Sequence, residues 1–372
     1  MGYELAMKAL VLSLVLGAVA GIRPSKIVRQ VPAIYVFGDS TLDVGNNNHL
    51  PGKDVPRADK PYYGIDLPGS GKPTGRFSNG YNTADFVAKT LGFDKSPLAY
   101  LVLKERNNLI PSAITRGVSY ASAGAGILDS TNAGNCIPLS KQVRFFESTK
   151  AEMEAKVGTR VVSDLLARSF FLVGVGSNDF FAFATAQAKQ NKTATQSDVA
   201  AFYDSLLSNY STTITELYKL GARKFGIINV GPVGCAPRVR VLNATGACAD
   251  GLNQLAAGFD GVLGSLLAGL APKLPGLAYS LADSLGLAQA TFTNPLAHGF
   301  VSSDSACCGS GRLGAQGECL PTATLCANRD RYIFWDSVHP SQRSAMISAQ
   351  VFYDGPAQYT TPVTFKQLAH KA

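Results

Sequence analysis

Apolar positions fall in two textures along the chain. Short, nearly continuous apolar runs occur at 33–37, 117–121, 170–175, 224–230 and 277–281. Strands covered on both faces read this way, whereas half-exposed strands alternate. Between them lie longer stretches with helical spacing of apolar residues, at 83–91, 140–156, 197–220, 249–270 and 341–352. Strand-helix alternation predicts a three-layer α/β/α sandwich with about five parallel strands joined by right-handed crossovers. There is no repeat, low-complexity linker or composition break inside 25–365, so one domain over 21–372 is expected rather than the two or three that length alone suggests.

In open parallel sheets, function gathers where strands end. The first three apolar runs each end in a Gly-rich turn: Gly38-Asp39-Ser40, then 122–126 with Gly124 and Gly126, then 174–179 with Gly176, Asn178 and Asp179. Near the other end of the chain stands Asp336-Ser337-Val338-His339. At this spacing a carboxylate can orient an imidazole, which is the orienter-base half of a nucleophilic triad. Ser40 supplies a hydroxyl at a strand end. The other two turns supply a Gly N–H and an Asn amide as donors for a developing oxyanion. Each element alone is commonplace. A D-x-x-H is often a helix start, and a serine at a turn is often a cap.

Other signals narrow the field. The G-x-S-x-G elbow, HExxH and Walker A patterns are absent. Gly309-Ser310-Gly311-Arg312-Leu313-Gly314 fits G-x-G-x-x-G but follows a Cys pair rather than a strand, so it is discarded as a nucleotide site. Lys plus Arg outnumber Asp plus Glu by 34 to 26, a net +8, with no run of five or six basic residues. That excludes a nucleic-acid footprint and leaves association with an acidic polysaccharide as a subsidiary expectation.

Lys8, the apolar stretch 9–20 and Ala18-Val19-Ala20 read as a secretory signal peptide cleaved after Ala20. No other segment carries eighteen uninterrupted apolar residues, so no membrane-spanning helix is expected. Asn191, Asn209 and Asn243 begin glycosylation tripeptides. Of seven Cys, four crowd into 307–326 and are expected to be stapled by disulfides, Cys235 and Cys248 flank one loop as a pair, and Cys136 is left over. No Cys/His spacing calls for a metal.

Taken together, Ile34 through Asn48, Gly75-Arg76-Phe77-Ser78-Asn79-Gly80, 117–126, Gly176-Ser177-Asn178-Asp179, Gly231-Pro232-Val233-Gly234-Cys235-Ala236-Pro237, Cys307-Cys308-Gly309 and Phe334 through Pro340 resemble the ordered blocks of the plant GDSL esterase/lipases, a branch of the SGNH hydrolases. The resemblance covers nearly the whole chain after residue 20. It implies a flavodoxin-like fold and an esterase with no metal or organic cofactor. It implies Ser40 as nucleophile, His339 as base and Asp336 as its orienter. The oxyanion donors would be the Ser40 and Gly124 N–H groups and the Asn178 amide.

The chain departs from the family at Ser119, where Asn is usual, at Ala123, where Gly is common, and at Ser341, where Thr is usual. Asp43, Asn46, Asn47 and Asn48 are expected to brace the nucleophile loop, Arg76 to hold its own loop and Asp179 to be structural, with His49 a candidate for the cleft wall. The expected activity is hydrolysis of small-molecule or polymer-linked esters through an acyl-enzyme. Acyl transfer by the same triad is the alternative within the enzyme class. A catalytically silent secreted glycoprotein that binds cell wall is the alternative outside it.

Overall fold

A computed structural model describes residues 28–69 and 72–371. The signal-peptide expectation for 1–20 lies outside the described residues. Five apolar runs form the parallel strands β1 (Ile34–Gly38), β2 (Gly117–Ser119), β3 (Phe170–Gly174), β4 (Lys224–Ile228) and β5 (Ala278–Ala282). They lie side by side in the order β2-β1-β3-β4-β5. That is the flavodoxin-like winding, with its switch point between β1 and β3. The expected strands appear within two residues at each end.

Side chains alternate across the sheet, because successive residues of a strand point to opposite faces. Tyr35, Phe37, Phe171 and Val173 face one layer. There they meet Leu139, Val143 and Phe146 of the helix Leu139–Val157, Tyr210 and Ile214 of Gln196–Lys219, and Phe259 and Leu263 of Asp250–Leu270. Ile34, Val36, Phe170 and Leu172 face the other layer. That layer is built by the helices Thr83–Thr90, Gln342–Asp354 and Phe365–His370. Tyr35, Phe37, Phe170 and Phe171 are 0% exposed. Burying a side chain of this size contributes about 1.5–3 kcal/mol, so each strand is fixed on both faces.

Several elements are additional to those expected. Short helices lie at Tyr100–Glu105 and Leu109–Thr115, and longer ones at Thr159–Arg168, Ser177–Lys189 and Ser284–Thr293. The loop region beyond β5 forms two small ladders. One is β6 (Ser302–Ala306) beside β9 (Tyr332–Phe334), and the other is β7 (Cys308–Gly309) against β8 (Thr324–Leu325). β10 (Thr360–Thr361) closes the sheet edge antiparallel to β5.

Disulfides join Cys235 to Cys248, Cys307 to Cys326 and Cys308 to Cys319, and Cys136 is free. Gly309 to Gly314 falls within the disulfide-stapled loop and ends in a single 3-10 turn at Arg312–Gly314 rather than opening an α-helix. Among the described residues one helical stretch, Asp250–Lys273, is long and apolar enough to cross a membrane by length and composition. Here its Ala256, Phe259, Leu263 and Leu267, spaced for one face of a helix, are buried in the core.

Candidate active site

The sequence Phe37-Gly38-Asp39-Ser40 turns the chain sharply off β1. Gly38 has φ +151°, and a Cβ there would sit 2.1 Å from the Gly174 carbonyl oxygen of β3. Only glycine lets the two strands approach so closely at the switch point. Gln142 buttresses the same residue, accepting from the Gly38 N–H at 2.8 Å and donating to its carbonyl at 2.9 Å. Asp39 then closes the turn, its carboxylate accepting from the Thr41 N–H at 2.9 Å and its carbonyl from the Leu42 and Asp43 N–H groups. Ser40 is left half-buried on the wall of a cavity of about 230 Å³.

Asp43, buried at 0% exposure, braces this loop. Its carboxylate accepts from the N–H groups of Gly45 and Asn46, both at 2.7 Å, of Asn47, and of Ala123 at 3.0 Å. It therefore ties the nucleophile loop to the loop that carries Gly124. Asn46 donates to the Ser119 and Ala121 carbonyls, and Asn47 to that of Ala123. Burial drives the Asp43 carboxyl up to about 6 in spite of these bonds.

Asp179 plays the matching part on the far side. It accepts from the Ile127 N–H at 2.8 Å, the Leu128 N–H at 3.1 Å and the Thr131 hydroxyl at 2.7 Å. A Cβ on Gly126 would meet its Oδ1 at 2.4 Å. Burial lifts this carboxyl to about 6 as well. The two carboxylates fix the Gly124 loop between β1 and the start of the Ser177–Lys189 helix.

Within this frame, Asn178 lines the cavity beside Ser40. One hydrogen of its amide is given to the Ala125 carbonyl at 2.9 Å, and its second meets no acceptor among the described residues. The N–H groups of Ser40 and Gly124 also donate to no acceptor among the described residues. Gly124 (φ +85°) lies one loop behind and is not among the cavity-lining residues.

The candidate base, His339, arrives from the opposite end of the chain. β9 delivers Trp335 and Asp336, and the Gln342–Asp354 helix starts just beyond His339. Ser341 caps that helix, accepting from the Ser344 N–H at 3.2 Å. His339 Nδ1 lies 2.7 Å from Asp336 Oδ2 and 2.9 Å from Oδ1, and Oδ1 also accepts from the Val338 and His339 N–H groups. Burial raises the Asp336 carboxyl. The neighbouring His339 and these hydrogen bonds outweigh it, so the group sits below the ordinary carboxylate range. With Nδ1 held by the carboxylate, Nε2 is the imidazole's remaining nitrogen, and His339 lines the cavity that Ser40 faces. No hydrogen bond joins Ser40 Oγ to the ring. Such contacts are often long before substrate binds.

Sequence reasoning missed two partners of this pair. Tyr63, 9% exposed, donates its hydroxyl to Asp336 Oδ2 at 2.8 Å. Phe77 packs on the His339 ring with centroids 4.9 Å apart, and meets Tyr63 edge-on. Both belong to a loop with no periodic signal. Burial and the Asp336 charge raise the Tyr63 phenol and keep it a donor.

The same loop clasps the base-bearing segment elsewhere. Asp66 pairs with Arg329, Asn79 Oδ1 accepts from the Gln342 N–H, and Gln342 Oε1 accepts from the Tyr81 N–H. Behind Asp336, Trp335 is fully buried among Tyr63, Phe77 and the disulfide-bonded Cys307, Cys308 and Cys319. Tyr63→Phe should keep the ring packing and remove one donor from Asp336. The carboxylate then draws the imidazolium more strongly, and the acid limb of kcat/KM should move up by about 0.3–1 pH unit, as expected for one hydrogen bond. A packing role alone would leave the limb in place.

The remaining candidates are placed as follows. Arg76 forms a buried bidentate pair with Asp85 at 2.6 and 2.8 Å, which holds its own loop. His49 faces Glu105 at 2.8 Å and does not line the cavity with Ser40, so it is no part of that wall. Asn191 and Asn243 are exposed in turns, whereas Asn209 lies inside the Gln196–Lys219 helix with its amide donated to the Ser205 carbonyl. Among the described residues no cluster of His, Cys, Asp or Glu could hold a metal ion.

Comparison with known proteins shows the family. The family model for the GDSL-like lipase/acylhydrolases matches residues 34–351. GDSL esterase/lipase At1g71691 of Arabidopsis thaliana is 36% identical over 342 residues, spanning 91% of this chain and 86% of that protein. GDSL esterase/lipase At1g29660 of the same plant is 36% identical over 346 residues, 91% and 92% of the two chains. GDSL esterase/lipase At5g08460 is 36% identical over 354 residues, 93% and 89%. A match that runs from β1 to the helix after His339 takes in every strand end that carries a candidate residue, and the chain belongs to the GDSL-like lipase/acylhydrolase family as a hydrolase of the GDSL type.

Proposed function

We propose that the chain is a secreted serine esterase that cleaves carboxylic esters through an acyl-enzyme. The observation that carries this reading is the His339–Asp336 pair, its imidazole facing the same cavity as Ser40 and Asn178, where the Ser40 N–H and the second amide hydrogen of Asn178 meet no acceptor among the described residues. In the first half-reaction Nε2 of His339 takes the Ser40 proton as Oγ bonds to the ester carbonyl carbon. The carbonyl oxygen gains charge and meets the N–H groups of Ser40, Gly124 and Asn178. The imidazolium, steadied by Asp336, gives its proton to the alkoxy oxygen as the carbon–oxygen bond breaks and the alcohol leaves. Water repeats the sequence on the acyl-Ser40 ester, releasing the acid and restoring the hydroxyl.

Three disulfides support secretion, because such bonds persist in oxidising compartments. The exposed acceptors Asn191 and Asn243 fit the same setting. Residues 21–372 act as one hydrolase domain in this reading, since nucleophile, donors and base are drawn from its whole length.

A fluorophosphonate probe tests the assignment. The purified protein should be labelled at Ser40, identified by peptide mass, and Ser40→Ala should lose both the label and hydrolysis of p-nitrophenyl acetate. Undiminished hydrolysis by Ser40→Ala would reject the reading.

A further inference from the structure

The cavity that Ser40 and His339 share does not stop at these two residues. Its wall follows the Gln342–Asp354 helix through Ser344, Ala345, Ser348 and Phe352. Those positions recur on one helix face, and the step from Ser344 to Phe352 spans about 12 Å at 1.5 Å per residue. The Ser284–Thr293 helix contributes Leu287 and Thr291 to the facing wall, and Ile228 at the end of β4 lies between. The far end is closed. Leu287 is 4% exposed and Phe352 1%, and the Phe352 ring packs against Phe365 with centroids 6.1 Å apart. Apart from His339, the only charged residues on the lining are Asp39, next to Ser40, and Arg238, which is exposed.

A closed slot of this kind fits the part of the ester that stays on the enzyme. The alcohol must leave and water must take its place, so that side needs an open path. A chain end entering a blind slot whose inner wall carries no charged residue needs none. We therefore propose that the slot along the Gln342–Asp354 helix binds a linear, uncharged acyl chain of medium length, with Ser348, Leu287 and Phe352 setting how far it reaches. The proposal rests on the esterase reading above.

The length of the wall sets the capacity. An extended alkyl chain advances about 1.3 Å per carbon, given a C–C bond of about 1.52 Å, so ~12 Å accepts about nine carbons. Each methylene buried is worth about fourfold in binding.

The test is a p-nitrophenyl ester series (acetyl, butyryl, octanoyl, palmitoyl) on the purified wild type, Ser348→Leu and Leu287→Ala. In the wild type, kcat/KM should climb to octanoyl at up to about fourfold per methylene and not climb further at palmitoyl. Ser348 is half-buried on the cavity wall, so leucine there fills the slot rather than the packed core. It should cut the octanoyl-to-acetyl ratio of kcat/KM at least about tenfold, the worth of two methylenes. Leu287→Ala should raise the palmitoyl-to-octanoyl ratio.

Fluorophosphonate labelling of Ser40 and a thermal melt report on site and fold in each variant. A wild-type series that is flat or falls from acetyl onward overturns the proposal. So does an unchanged ratio in a folded, labelled Ser348→Leu. If Ser348→Leu does not fold, the wild-type series and Leu287→Ala decide. Loss of labelling in the wild type would instead bring down the esterase reading, and this inference with it.

Discussion

Asp336→Asn should lower kcat on a p-nitrophenyl ester by about 10⁴-fold, with the protein still folded. The side chain keeps its size, and its Oδ1 can still accept from the Val338 and His339 N–H groups. What changes is the partner of the imidazole. A carboxylate accepts the proton on Nδ1 and leaves Nε2 with a lone pair. An amide turned to keep those backbone bonds presents N–H to Nδ1, and Nε2 then carries the proton. In that tautomer it cannot accept one from Ser40. The charge that steadies the imidazolium is lost as well. Tyr63, which now donates to Oδ2, would face a second donor in place of an acceptor. The check is kcat together with the rate of fluorophosphonate labelling, since both depend on activation of the hydroxyl. A loss under tenfold would mean that Asp336 shapes the turn and does not act on the base.

The second large effect concerns stability. Arg76→Met should lower the free energy of unfolding by about 3–5 kcal/mol, read by denaturant titration or as a Tm lower by roughly 5–10 °C. Methionine preserves most of the aliphatic volume. The guanidinium is lost from a site where it is 8% exposed and binds both oxygens of Asp85, which is 0% exposed. Asp85 would retain only the N–H groups of Asn82 and Ser96. A buried carboxylate without its counter-ion costs more than the intact pair contributes. Arg76→Met combined with Asp85→Asn should therefore recover part of the loss, because the neutral amide carries no stranded charge. Failure of the second substitution to recover any stability would show that Arg76 acts through packing alone.

The strand ends were readable because their chemistry demands unusual residues at fixed places. Gly38 must lack a Cβ, Ser40 must follow a strand, and Asp336 and His339 must be three apart for one carboxylate to reach both the ring and the backbone. The continuous apolar runs followed from burial on two faces, and β10 was missed because two residues carry no period. The Ser177–Lys189 helix was missed because it opens with Ser-Asn-Asp, which reads as a turn. It is fixed there by the Asp179 bonds to Ile127 and Leu128, about fifty positions away. Tyr63 was invisible for the same reason. Its partner lies 273 positions along the chain, and nothing in its own neighbourhood distinguishes it from Tyr62. Local pattern fixes elements, and long-range polar contacts assign the roles of loop residues.

The clasp between the loop at 62–81 and the segment at 329–342 has a bearing on how the enzyme comes into being. The proposed nucleophile Ser40 and base His339 are separated by almost the whole described chain, and closing so long a loop is slow relative to forming local helices. Half a molecule holds no half-active centre. During refolding, helix signals should recover before turnover does. Activity is then a clock for the final docking event, and on the ribosome the protein stays catalytically silent until its base-bearing segment has emerged.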